Sequence, residues 1–328
     1  MAVASGARLS VTSTGLGLIA ALAGITRLPA TLRVPPSDGA NRASLSATHP
    51  GMEVLRQAGI WSESGLDCDV EQWMVTLARP DIRVDVEVDV PSVMSARLLG
   101  PAPVFRPSHD EATIRQNSTA AIAAYEELQR WRADQPAKRV ATLCRRDGIW
   151  VAAARMWQPG ATSSDGQEHD ELDEIVVSVV GDQPIAATVA ELLGSAQPAV
   201  FEGLSIQSSV LNDVVGQWQR DPETNIVALL VNHGLTVEQA RIVEAFADRS
   251  AVRSTVTAMQ MRPGRGDWAE LTMTIADTIY GRVVRSETGS GADLWTLMMP
   301  GNERRIRTAV DGVMESLPSG QGWSDYTR

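Results

Sequence analysis

Asp69-Val70-Glu71-Gln72 and Thr236-Val237-Glu238-Gln239 lie far apart in the chain and present the same local chemistry. Each begins with a residue able to cap a helix, and each has a glutamine three positions on that can reach back to the cap. Both therefore read as helix starts. In the first, Val70, Trp73, Met74, Leu77 and Ala78 recur at i, i+3, i+4, i+7 and i+8, so one face is apolar and must be buried. Each helix gives way to a strand. Residues 82–88 alternate strictly between apolar and charged, and residues 252–259 alternate more weakly.

The correspondence extends outward. In the first half, strands at 139–145 and 149–157 flank Arg146-Asp147-Gly148, where Asp-Gly supplies the positive φ angles of a tight hairpin. A strand at 174–180 follows, then Pro184 at N1 of a helix with Ala186, Val189, Ala190 and Leu193 inward. In the second half, strands near 269–276, 281–287 and 293–299 lead to Pro300-Gly301. A final helix with Ile306, Ala309, Val310, Val313, Met314 and Leu317 on one stripe stops at Pro318. Further helices are expected at 50–58, 208–219 and 223–231. The fold class is α+β, a pseudo-twofold duplicated body with a shared sheet. Its halves are residues 7–200 and 201–328 of a single domain spanning 1–328. One piece breaks the symmetry: after a proline-marked loop at 91–107, Ile114, Ala121, Ile122, Tyr125 and Leu128 share one side of a helical insertion at 108–135. A polar loop at 158–170 lengthens another turn.

Composition narrows the function. The chain has 328 residues, 44% apolar and 21% charged, enough for a substantial core. Its net charge of -11 is opposite in sign to the basic face needed by a nucleic-acid backbone or an anionic membrane, so neither partner is expected. No apolar run reaches the ~18 residues of a membrane span. Cys68 and Cys144 are isolated, in neither metal nor redox spacing, as suits a reducing cytosol. The N-terminus imitates a signal peptide, with Arg8 ahead of an apolar stretch at 16–25. Ser10, Thr12, Ser13 and Thr14 separate the charge from that stretch, and an ordinary first strand and helix is the expectation.

Catalytic chemistry is present only in outline. Gly15-Leu16-Gly17-Leu18-Ile19-Ala20 matches a dinucleotide fingerprint with alanine last, but the preceding residues alternate in polarity and no βαβ succession follows. His49, His109, His169 and His233 are solitary, without metal-ligand spacing. The acids Glu168, Asp170, Glu171, Asp173 and Glu174 read as a solvated run. No cofactor, metal or catalytic residue is expected. Nine tryptophans are the more informative excess, since aromatic anchors serve both cores and interfaces.

Several segments, in order, resemble the EspG family, cytosolic chaperones of mycobacterial type VII (ESX) secretion. They are His49-Pro50-Gly51-Met52 with Arg56 and Gly59, Arg79-Pro80-Asp81, Arg145-Arg146 with Trp150-Val151, Ala153 and Arg155, Asp277-Thr278 with Gly281-Arg282-Val283, Pro300-Gly301, and Leu317-Pro318 with Gly320 and Trp323. The resemblance implies a central twisted antiparallel sheet with a helical bundle from each half. It also implies binding to the apolar tip of the PPE protein in a PE–PPE heterodimer, keeping the pair soluble and directing it to a type VII system from the cytoplasm. Such work needs shape, apolar contact and a polar rim, and no reactive group. The expected docking residues are Leu211, Val214, Val215 and Trp218 on a second-half helix, with Leu271, Met273, Arg282 and Trp295 on the strands. Two alternatives remain: a nucleotide-binding enzyme using the Gly15–Ala20 turn, and self-association through sheet edges.

Overall fold

Strand pairing carries most of the architecture. The computed structural model describes residues 3–5, 8–34, 49–89, 123, 139–157, 173–181, 183–221, 223–248 and 250–328. The chain divides into two units, residues 1–89 with 139–328, and residues 90–138. Apart from residue 123, the expected insertion at 108–135 lies outside the described residues, as do the loop at 158–170, His109 and His169. Along the first half run β1 (Val3–Ser5), β2 (Arg8–Thr12), α1 (Ser13–Leu22), α2 (Met52–Gln57), the small pair β3 (Trp61–Ser62) and β4 (Gly65–Leu66), and α3 (Cys68–Ala78). Then come β5 (Ile82–Asp89), β6 (Arg139–Arg146), β7 (Ile149–Trp157), β8 (Asp173–Val179) and α4 (Ile185–Leu192). The second half runs β9 (Leu204–Gln207), α5 (Ser208–Arg220), α6 (Ile226–Asn232), α7 (Val237–Ala247), β10 (Val252–Arg262), β11 (Arg265–Trp268), β12 (Met273–Thr278), β13 (Gly281–Thr288), β14 (Trp295–Pro300) and α8 (Glu303–Glu315).

All strands but β3 and β4 join one antiparallel sheet in the order β1-β2-β8-β7-β6-β5-β10-β12-β13-β14-β9, with β11 folded back on β10. From the β5–β10 junction outward, each half runs strand, hairpin, strand and finally its own first strand. The run β5-β6-β7-β8-β2 on one side parallels β10-β12-β13-β14-β9 on the other, with β1 and β11 outside the correspondence.

Helix starts follow local chemistry. Thr236 and Gln239 form the expected capping box of α7. In the first half the cap is Asp67, two residues earlier than the sequence reading placed it. Its carboxylate accepts from the amides of Asp69 and Val70. Pro184 is the N-cap of α4 rather than N1. The second-half strand expected near 269–276 is the shorter β12, because residues 265–268 turn back at Pro263-Gly264, with Gly264 at φ 82°, and pair with β10.

Residues directly opposite in a ladder share a face, which fixes where the cores sit. On face one, α1–α3 pack on Leu9, Val11, Cys144, Val151, Ile175 and Val177 of the first half. On the same face, α5–α7 pack on Leu204, Ile206, Ala276, Val283 and Met298 of the second. Face two is covered at its centre by α4 and α8, which pack together over Val84, Leu143, Val256 and Ile275. Side chains of this size stabilise by about 1.5–3 kcal/mol each when fully buried, so these three clusters hold the sheet flanked on both faces.

Two buried arginines tie each half to the closing helix of the other. Arg282 at the start of β13 makes a two-pronged pair with Asp277, at 2.6 and 2.9 Å, and donates to the carbonyls of Gly194 at 2.5 Å and Leu193 at 3.1 Å, just beyond α4. Its backbone is gripped too: the Gly301 amide donates to the Arg282 carbonyl at 2.7 Å. A Cβ on Gly301 would lie 2.3 Å from Arg282 Cγ, which explains Pro300-Gly301. Arg145 on β6 donates to the carbonyls of Trp323, at 2.9 Å, and Ser324, beyond α8. The tail is fixed further by Tyr326 donating to the Met261 carbonyl at 2.7 Å and by the Arg328 amide donating to Asp81 at 3.2 Å.

Candidate docking surface

On face one, a groove of about 230 Å³ opens where α5 and α7 meet the sheet. Leu211, Val215, Val243 and Phe246 form its helical wall, and Met298, Thr274, Arg253 and Arg285 its strand floor. The amphipathic pattern of α5 builds this wall: Leu211 and Val214 face the core while Val215 and Trp218, one position round the helix, stay half-buried. The polar groups are already positioned. Arg253 donates to the carbonyls of Phe246, at 2.7 Å, and Asp248, at 2.6 Å, closing the end of α7. Arg285 lies 3.0 Å from Glu287. An apolar helical wall beside positioned polar groups supplies the parts of a recognition patch.

Towards the centre of the same face, β5 and β10 contribute no residue to either apolar cluster there, and apart from Met259 the strip is polar. It carries Arg83, Asp85, Thr255 and Thr257. Arg83 Nε is 3.0 Å from Asp85 Oδ2, and the guanidinium lies 5.9 Å from the centre of the Trp268 ring. Trp268 itself is 55% exposed, a large apolar surface facing solvent.

The residues expected from sequence are divided by the fold. Leu211 and Val215 meet in the groove, and Trp218 lines a separate cleft at the end of the sheet. Val214 is turned into the α5–α7 core. Met273 is fully buried on face two beneath α8. Arg282 has its guanidinium committed to Asp277 and the exit of α4. These three side chains are not available to a partner in this conformation. Leu271 lines a different groove beside α8, and Trp295, 44% exposed, alternates with Thr296 and so points to face two. Sequence reasoning missed Val243, Phe246, Arg253 and Arg285. Val243 and Phe246 repeat at the helical spacing of α7, but that stripe reads equally well as plain core.

The histidines and the glycine turn have structural partners. His49 Nδ1 accepts from the Gly51 amide at 3.0 Å, and His233 caps the end of α6. Gly15 opens α1 after a strand antiparallel to β8, and its amide is taken by Thr12 Oγ1 at 3.1 Å, as at an ordinary helix start. The groove beside it is only about 200 Å³.

The sequence model of the EspG family matches residues 12–312. This chain belongs to the EspG family. EspG2, the ESX-2 secretion-associated protein of Mycobacterium tuberculosis, is 26% identical over 337 aligned positions, covering 98% of this chain and 99% of EspG2. EspG1, the ESX-1 secretion-associated protein of the same species, is 28% identical over 187 positions, which span 56% of this chain and 57% of EspG1. Among solved structures, the M. tuberculosis type VII secretion system chaperone EspG5, in complex with a PE25–PPE41 dimer, matches with a TM-score of 0.69 over 96% of this chain and 98% of EspG5, at 19% identity. The EspG fold is therefore shared along nearly the whole length, and the large antiparallel sheet with flanking helices is its frame. Among the described residues, no helix is long and apolar enough to cross a membrane, and no cluster of side chains could hold a metal ion.

Proposed function

We propose that this EspG chain is a cytoplasmic chaperone that docks the apolar tip of a PPE protein, within a PE–PPE pair, in the groove between α5, α7 and the strands β10 and β12–β14. It keeps the pair soluble and directs it to a type VII secretion system. The reading rests on one conjunction: the fold is that of EspG5, whose structure holds a PE25–PPE41 dimer, and this chain has on its second half a groove with half-buried Val215 and positioned arginines at its mouth, backed by the buried side chains of Leu211, Val243, Phe246 and Met298. No bond is made or broken. Burial of apolar surface supplies the driving force, and a stable complex of this kind buries roughly 1,200–2,000 Å² in total.

Co-expression with a panel of PE–PPE pairs, PE25–PPE41 included, tests it. The wild-type chain should co-purify at least one pair in a stoichiometric complex. Val215→Asp should keep its melting temperature and lower capture at least about tenfold, since it places a charge on the groove wall. A chain that captures no pair ends the reading.

A further inference from the structure

The turn Thr278-Ile279-Tyr280-Gly281 joins β12 to β13 and breaks two rules at once. Turns favour Gly, Asn, Asp, Pro and Ser, yet its central positions hold a β-branched aliphatic and an aromatic residue. Those side chains are also left in water, Ile279 being 88% and Tyr280 45% exposed. The base of the turn is held by the segment before Val200: Ala199 donates its amide to the Arg282 carbonyl at 2.9 Å, and the Arg282 amide donates to the Gln197 carbonyl at 2.7 Å. Violations of local preference that persist in a well-built frame mark function.

The frame here is rigid. Thr278 Oγ1 donates to the Gly281 carbonyl at 2.8 Å and accepts the Tyr280 amide at 3.1 Å. Gly281 has φ 108°, and a Cβ there would lie 2.8 Å from the Ala199 nitrogen and the Gln197 carbonyl oxygen. The Arg282 pair anchors the next residue. Ile279 and Tyr280 are thus held in one presentation at no further ordering cost, as an interface anchor requires.

Beneath the tip is a cleft of about 560 Å³ between the hairpin and the ends of α5 and α7. Trp218 and Tyr280 contribute aromatic surface, and the lining holds Glu244, Asp248 and Arg241, with Arg253 donating from the adjoining groove to the Asp248 carbonyl at 2.6 Å. The remaining acid, Asp277, is already paired with Arg282. Aromatic faces beside the carboxylates of Glu244 and Asp248, neither of which forms a salt bridge among the described residues, suit a cation.

We propose that the tip and cleft form a second, charge-selective contact for the docked PE–PPE pair. A lysine or arginine of the partner enters between Trp218, Tyr280, Glu244 and Asp248, while the partner's neighbouring apolar residues cover Ile279. The inference rests on the docking reading above and adds the chemistry of the partner segment: a basic side chain set among apolar ones.

The pair captured by the wild-type chain is titrated against three variants at low and high salt. The variants are Ile279→Ser, the double variant Glu244→Gln with Asp248→Asn, and Val215→Asp. Asparagine keeps an acceptor for the Ser250 amide that Asp248 Oδ1 now takes at 2.9 Å, so the fold is preserved, and melting temperatures confirm it. The double variant should weaken binding about tenfold at low salt, by a slower on-rate, and this gap should narrow as salt screens the contact. Ile279→Ser should raise the off-rate several-fold at both salt concentrations. Wild-type behaviour of both tip variants, with Val215→Asp defective, overturns the tip contact and leaves the groove standing. Loss at the tip with Val215→Asp unimpaired supports the tip contact and removes the groove from the docking surface. Failure of every pair to bind the wild-type chain removes both.

Discussion

Arg145, near the end of β6, reaches out of the first half to the carbonyls beyond α8. Arg282, at the start of β13, reaches out of the second half to the carbonyls beyond α4. Both are almost fully buried. Their partners differ. Arg282 is balanced by a carboxylate in two-pronged geometry, whereas the hydrogen bonds of Arg145 found among the described residues go to backbone carbonyls. Asp81, whose amide donates to the Arg145 carbonyl at 2.7 Å, has its carboxylate taken by the amides of Asp147 and Arg328. The same crossover is therefore secured by an ion pair at one site and by backbone dipoles and a tail at the other. A buried charge without its countercharge is costly, so the two ties should fail differently.

The largest effect is expected at Arg282. Arg282→Met leaves Asp277 without its partner and two carbonyls without donors, and should cost about 3 kcal/mol, read as a fall in the urea midpoint. Arg282→Lys should recover less than half, because an ammonium cannot reproduce the flat fork. A loss below about 1 kcal/mol for the methionine variant would show that the pair is decorative.

Arg145→Met should cost less, about 2 kcal/mol, the worth of a hydrogen-bonded charge whose carbonyl partners lie in a chain end that can turn to water. Removal of residues 318–328 should give a loss at least as large, since Trp323 and Tyr326 also pack on the central core. Combined, the two changes should cost little more than the truncation alone. Additive losses would mean that Arg145 stabilises something other than the tail.

The helix starts extend the comparison at a smaller scale. Thr236→Ala removes one half of a capping box, and Asp67→Ala removes a carboxylate that takes two amides, each about 1 kcal/mol by denaturation. The aspartate should lose slightly more, because its charge also favours the positive end of α3. Equal losses in high salt and low salt would argue against that electrostatic share.

These sites also mark what was legible in the sequence. Long amphipathic stripes and the Asp147-Gly148 turn could be read directly, because periodicity and positive φ are local properties. The cap of α3 was displaced because Asp67 and Asp69 offer the same carboxylate chemistry, and only the backbone trajectory decides between them. Arg282 read as an interface residue because a charge beside apolar positions looks exposed until its carboxylate and the carbonyls of a distant helix are brought to it. The groove was half legible: α5 supplied Leu211 and Val215 by spacing, but its floor comes from four strands whose order no local pattern encodes. Ile279 and Tyr280 were visible as apolar residues before a glycine, and only the turn geometry shows them out in water.

The two cysteines give the finest comparison. Cys68 is exposed in the first turn of α3, whereas Cys144 lies fully buried on β6, its thiol 3.8 Å from the Leu77 carbonyl. Burial pushes the Cys144 thiol up to about 12 from an ordinary 9.0, outweighing the hydrogen bond with Thr142 that acts the other way. A thiol of this kind stays protonated in the native state, so iodoacetamide at pH 8 should modify Cys68 within minutes and Cys144 only as fast as the chain unfolds. The stability linkage follows the same direction. Below pH 9 both states hold the proton and the native thiol contributes fully; between pH 9 and 12 only the unfolded thiol ionises, and stability falls by up to about 1.4 kcal/mol per pH unit. Cys144→Ala should flatten that alkaline decline, although the small cavity lowers stability at neutral pH. Native-state labelling of Cys144 as fast as Cys68 would mean that the first-half bundle opens readily over the sheet. In Arg145→Met, the slow labelling of Cys144 should accelerate in proportion to the lost stability if the tail and the bundle unfold together, and stay unchanged if the tail frays alone.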